Sequence, residues 1–185
     1  MRPIRKPTRL FALVAVVAVL LVTVAMPASA TKGNPDKELP FSAYIAGDEV
    51  ALNTVPAEVA ARCDSPSAFS VTTFYGTGRA THLGRIDIVA QHCSEAMGFY
   101  SQGVLTITAA NGDVLMATYT NGVSLTPPPL IEFTDEFTFV DGGTGRFTEA
   151  SGGGVEIGVF HFLDDVFELE MDGVVSYDAS HRNGK

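Results

Sequence analysis

The sequence predicts an all-β fold, a single closed antiparallel β-barrel of about eight strands preceded by a cleaved signal peptide. Three observations carry this. From residue 68 onward, extended runs rich in Val, Ile, Thr, Phe and Tyr recur at near-regular spacing, with turn residues between them and no amphipathic helical pattern. A glycine-rich stretch, residues 140–154 (VDGGTGRFTEASGGG), separates two of these runs and provides the bends that a curved sheet requires. At the N-terminus a basic segment leads into an apolar run and then into small residues.

Residues 1–30 read as the signal peptide. Arg2, Arg5, Lys6 and Arg9 form its basic part, residues 10–24 its apolar part, and Ala28-Ser29-Ala30 its cleavage signal, with the cut after Ala30. The apolar run has 15 residues, fewer than the ~20 a membrane-spanning helix needs. The predicted location is therefore exported, either secreted or periplasmic. Residues 31–40 are a polar lead-in, 41–178 the barrel domain, and 179–185 a C-terminal tail.

Within the domain, residues 41–46 form a first strand with Phe41, Ala43 and Ile45 on one face. Residues 53–66 hold two prolines, Cys63 and an alanine-rich segment, which fits one helical turn inside a long connection or a loop pinned by the cysteine. Phe69, Val71, Thr73 and Tyr75 alternate with Ser70 and Thr72, and residues 81–93 form a further long run. Residues 104–110 and 114–120 flank Asn111-Gly112, a strong short hairpin signal. The prolines at 127–129 make a stiff connector that cannot enter a sheet interior. Runs at 131–140, 155–163 and 166–177 complete the series, with Asp164-Asp165 turning the chain between the last two.

In residues 140–154, Gly142, Gly143 and Gly145 permit a tight turn and Phe147 offers an apolar anchor after it. A phosphate cradle is disfavoured, since no Gly-Lys-Ser/Thr and no helical pattern follow. Removing residues 1–30 leaves 8 Lys/Arg against 21 Asp/Glu, a formal charge of −13 compared with −9 for the whole chain. Nucleic acid and anionic membrane surfaces are poor partners for such a balance, because both are bound through Lys/Arg. No membrane insertion of the mature chain is expected. In an exported chain Cys63 and Cys93 read as one disulfide. His92 adjoins Cys93, but neighbours in a strand point to opposite faces, so adjacency does not bring the imidazole to the sulfur.

Residues 137–154 (FTFVDGGTGRFTEASGGG) resemble the strand–GGTGxF–A–G segment of the allene oxide cyclase-like and dirigent-like β-barrels. Residues 76–84 (GTGRATHLG) and the later VLTITAANGD are similar to secreted bacterial members of that group. The resemblance implies an eight-stranded antiparallel barrel with an apolar cavity, often a homo-oligomer. The group's cyclase residues have no matching motif here, and a shared fold does not by itself assign an activity. Gly76–Thr81 and Gly143–Thr148 share the pattern GTGR-x-T, which suggests a duplicated barrel element.

Few residues are candidates for chemistry. Ile131, Phe133, Asp135, Phe137 and Phe139 share one strand face. If that face is internal, desolvation raises the Asp135 pKa and suits it to acid–base work. The rarity of buried unpaired charge favours instead a register change there, or a position in contact with water at the barrel mouth. His82 and His92 share parity with Ile86 and Ile88, so either could project into the cavity, and Arg79 and Arg85 lie close enough in sequence to hold an anionic ligand. Asp135 and His82 are thus the candidate catalytic groups, and Arg79, His82 and Asp135 the candidate ligand contacts.

No metal or cofactor is expected. Gly76 and His82 fit the opening of a cupin pattern, but the next ligand position is Gly84. There is no His-Glu-x-x-His and no Gly-x-Ser-x-Gly elbow. Two functions follow as expectations: an exported barrel that binds a small apolar or amphipathic molecule without turnover, or a cyclase- or isomerase-like enzyme.

Overall fold

The structure, a computed structural model, describes residues 38–178. The predicted signal peptide with its cleavage point after Ala30, residues 31–37 of the lead-in and the tail 179–185 lie outside the described residues.

Eight antiparallel strands follow one another in sequence order and close on themselves. They are β1 (Leu39–Asn53), β2 (Ala68–Ala80), β3 (Gly84–Glu95), β4 (Phe99–Ala109), β5 (Val114–Ser124), β6 (Leu130–Val140), β7 (Ser151–His161) and β8 (Val166–Ser176). Closure is made by β1 against β8, with Ala43 opposite Met171 and Ile45 opposite Leu169. Every strand therefore has two partners, and no sheet edge is left to template aggregation. β1 begins at Leu39, inside the stretch predicted as lead-in, because Leu39 and Pro40 already pair with Val175 and Val174.

The connection after β1 contains a short helix, α1 (Pro56–Arg62), with Pro56 at its start, where the missing N–H costs nothing. Seven residues are too few for an isolated helix. Packing holds it. Val59 and Cys63 join Val71 and Cys93 in a small second core on the outer wall of β2 and β3, and Cys63 is disulfide-bonded to Cys93. Cys93 therefore faces outward and its neighbour His92 inward, as strand alternation requires.

The two ends of the barrel differ. At one end lie the β2–β3 turn at residues 81–83, the β4–β5 hairpin with Gly112 at φ 87°, and the β6–β7 connection at residues 141–150. That last connection is the glycine-rich stretch, and it closes the barrel. Gly142 and Gly145 take φ of 109° and 56°, which lets the chain fold into a single 3-10 turn, Gly145–Phe147. Thr144 pins the turn to β5, its N–H donating to the Val114 carbonyl at 2.8 Å and its Oγ1 accepting from the Val114 N–H at 2.9 Å. Phe147 is fully buried beneath it, edge-on to Tyr177 with ring centroids 5.1 Å apart. Inside this half Phe41 packs against Phe137 and Phe139, and Ile45, Ile107 and Leu115 fill the remaining space.

The two GTGR-x-T hexapeptides are not a structural repeat. Residues 76–81 form the end of β2 and its turn, whereas 143–148 form the plug loop and its 3-10 turn. The second reaches the turn that follows the first, where Arg146 Nη2 donates to the His82 carbonyl. The opposite end, built by α1, the β3–β4 and β5–β6 connections and the β7–β8 turn, is open.

Candidate functional site

A cavity of about 670 Å³ enters the barrel from its open end. Its walls are largely aromatic and aliphatic, including Phe74, Phe133, Phe160 and Phe167. Its floor is polar and comes from five adjacent strands: His92 of β3, Tyr100 of β4, Tyr119 of β5, Asp135 of β6 and Glu156 of β7.

Tyr119 reaches the floor by plain alternation after Leu115 and Ala117, whereas Tyr100 does so because β4 is bulged between it and Gly103, and β5 carries a matching bulge after Thr120. Gln102 and Asn121 take left-handed φ of 53° and 57°, each followed by a glycine. In the ladder Tyr100 faces Gly122, and Gly103 faces Tyr119. A Cβ at Gly122 would stand 2.1 Å from the Tyr100 ring, and one at Gly103 would stand 2.3 Å from the Tyr119 ring. Each ring thus lies over the bare backbone of the neighbouring strand.

Asp135 and Glu156 are direct cross-strand partners, and both are buried, with 3% and 7% of their surface exposed. Opposed pairs of this kind place their Cβ atoms about 5 Å apart. Burial raises the Asp135 pKa to about 7, against the partial opposition of the Tyr100 hydrogen bond. Burial likewise pushes Glu156 well above the ordinary carboxyl range, and the Asp135 charge adds to the shift. The Tyr100 hydroxyl lies 2.8 Å from Asp135 Oδ2 and 3.2 Å from the Thr134 carbonyl. One hydroxyl proton serves only one of these acceptors well. With Asp135 protonated both contacts are satisfied, since the acid then donates to Tyr100 and Tyr100 to the carbonyl. Asp135 Oδ1 is buried without a partner, as is Ser70 Oγ in the cavity wall.

His92 stacks on Tyr100 at 4.5 Å and shares a hydrogen bond with the Tyr119 hydroxyl, Nδ1 to Oη 3.1 Å. Burial drives its pKa down to about 3, and the Arg62 charge pushes the same way, so the ring is neutral at physiological pH. Burial also raises both tyrosines, and neither ionises in that range. Arg62 itself runs along the outer wall, its Nη2 donating to the Gln102 carbonyl at 2.7 Å and so fastening α1 to the β4 bulge.

The sequence-predicted site residues separate. Asp135 is inside and not at the mouth: β6 pairs continuously with β7 from Leu130 to Thr138. The ladder with β5 does shift register opposite Asp135, between Thr120–Glu136 and Val123–Thr134, but the extra residue lies in β5, so the alternation of β6 is kept. His82 is excluded from the cavity. It sits exposed in the β2–β3 turn at φ 66°, its Nε2 2.9 Å from the Pro40 carbonyl, at the closed end. Its parity with Ile86 does not survive the turn, because alternation holds only within a strand. Arg79 is exposed on the outer face of β2, so it holds nothing in the barrel. His92, whose parity with Ile86 and Ile88 pointed into the barrel, is on the floor, and Glu156, Tyr100 and Tyr119 complete it without having been singled out. For Glu156 a signal existed: it shares strand parity with Phe160 and Phe162, both of which line the cavity.

Among the described residues no group of three or more His, Cys, Asp or Glu side chains is placed to hold a metal ion. No helix of the described residues is long and apolar enough to cross a membrane. Compared with protein families, with curated proteins and with solved structures, the chain finds no match.

Proposed function

We propose that this protein is an exported barrel that binds one small, largely apolar or amphipathic molecule in the open half of its interior, without turnover. The observation that carries the reading is the cavity: about 670 Å³, walled by aromatic side chains and floored by a few convergent polar groups. Its rim is apolar as well, with Leu52, Met97, Leu125 and Leu163 well exposed around the open end, which eases entry of a molecule that avoids water. Export follows from the leader-like residues 1–30 and is consistent with the Cys63–Cys93 disulfide. Kinship with the allene oxide cyclase-like and dirigent-like barrels belongs to the same proposal and rests on residues 137–154. The test is native mass spectrometry of protein purified from its producer, followed by thermal-shift screening against lipids and metabolites. A co-purified or stabilising ligand is expected. A chain that stays empty and is stabilised by nothing in a broad panel defeats the reading.

A second reading, an isomerase- or cyclase-like enzyme, is favoured by Asp135, a carboxyl poised near neutrality inside the cavity beside the Tyr100 hydroxyl. It predicts turnover that Asp135→Asn abolishes while binding persists.

A further inference from the structure

Resting on the binding reading above, the geometry points to the class of ligand: we propose an amphipathic amine, its ammonium set against Asp135 and Glu156 on the cavity floor and its hydrocarbon against the aromatic walls.

The floor lacks a cation. Asp135 Oδ1 is buried and unpartnered, and Glu156, buried directly across the ladder from it, adds a second carboxyl to the same floor. Among the described residues, the cavity lining contains no Lys or Arg, while Glu95 and Asp165 add two further acids. Its one imidazole, His92, is held neutral by burial. A ligand's charge is therefore met by acids alone.

Three ligand heads can be compared on this floor. A carboxylate adds a third acid to a buried pair and finds no counter-charge, so it is rejected. A hydroxyl offers one donor. An ammonium offers three, forms charge-assisted hydrogen bonds, and draws both carboxyls toward their ionised state. The surroundings suit it too, since Tyr100, whose hydroxyl touches Asp135, packs edge-on to Tyr119 and to Phe133 in the same cavity lining. Without a ligand, burial shifts both acids toward the protonated form, which lowers the cost of keeping them in an apolar interior.

The test uses the disulfide-bonded protein and four probes: n-octylamine, 1-octanol, octanoate and the neutral fluorophore N-phenylnaphthylamine. The fluorophore reports cavity binding, and the other three compete for it. The expected order is octylamine at least tenfold tighter than octanol, with octanoate weakest. Asp135→Asn and Glu156→Gln each lower octylamine affinity toward that of octanol and leave octanol unchanged. Fluorophore binding with octanol or octanoate equal to or better than octylamine overturns the amine proposal and leaves the binding reading standing. Failure of all four to bind overturns both. Because the competition series is read on the unsubstituted protein, it decides the matter even where a variant does not fold.

Discussion

Tyr100 lies across the β4–β5 ladder from Gly122, its ring covering the place where a side chain would stand. Gly103 and Tyr119 repeat the arrangement in the opposite sense on the same two strands. These two pairs set how deep the phenols sit and hence the shape of the cavity floor.

Gly122→Ala inserts a methyl group into the Tyr100 ring, and the ring must leave its rotamer or the strand must shift. A destabilisation of about 1–3 kcal/mol is expected, as for other overpacked sites. Urea unfolding measures it, and near-ultraviolet circular dichroism reports the displaced tyrosine. A neutral result would mean that the ring is not held against the backbone.

The pH dependence of stability follows from the floor. Asp135 has its folded pKa raised to about 7 from 3.8, and Glu156 is raised further above its ordinary value. Both bind protons more tightly when folded, so their contribution is full below the ordinary carboxyl range and is lost as pH rises through the folded pKa. His92 acts in the opposite sense. Its folded pKa is lowered to about 3 from 6.5, and stability falls as pH drops between those values. Facing these groups are Tyr100 and Tyr119, with Arg62 outside the wall and Glu136 beside Asp135. Two carboxyls outweigh one imidazole, so stability is expected to peak near pH 4–5 and decline through pH 7, at roughly 1.4 kcal/mol per pH unit for each net proton. Asp135→Asn together with Glu156→Gln abolishes the decline. Denaturation midpoints from pH 4 to 8, with and without the substitutions, check it.

Phe147 closes one end of the barrel. Phe147→Ala is expected to cost about 3–5 kcal/mol by emptying a fully enclosed site. The loss should register in thermal unfolding while the position of bound ligand, which enters from the other end, stays the same.

The disulfide closes a loop of 30 residues between Cys63 and Cys93. Replacing both by serine should lower stability by about 3–4 kcal/mol on loop-entropy grounds. The barrel ladder does not pass through the bond, so far-ultraviolet circular dichroism should keep its β signature. Protection of α1 amides from hydrogen exchange should fall first.

His82→Ala and Arg79→Ala, in contrast, are expected to leave ligand affinity unchanged, since one side chain sits at the closed end and the other on the outer face. Titration of the fluorophore into each variant is sufficient. A tenfold loss for either would place the binding site elsewhere.

Much of the scaffold was legible in the sequence because its signals are local. Asn111-Gly112 marks a hairpin, Asp164-Asp165 a turn, and the glycines at 142–145 a tight corner, each from the backbone freedom of a few consecutive residues. The alternation through Phe137 and Phe139 likewise put Asp135 on their face, but the rarity of buried charge argued against its burial, and the structure places it inside. β2 shows where the same signal fails. Phe69, Val71 and Tyr75 form the more apolar set, yet Ser70, Thr72 and Phe74 line the interior. Val71 is covered from outside by α1, Tyr75 faces solvent, and Phe69 is more than half exposed where it borders the cavity.

What the sequence by itself determined is the all-β class, nearly all the strands, and the single possible cysteine pairing. Only the tertiary structure decided which face of each strand turns inward, which end of the barrel is open, and that Asp135 meets Glu156. The physical reason is that a period of two identifies two faces without saying which is internal, whereas inter-strand register is set by closure between segments far apart in the chain. A candidate site assembled from five strands exists only once that closure is made.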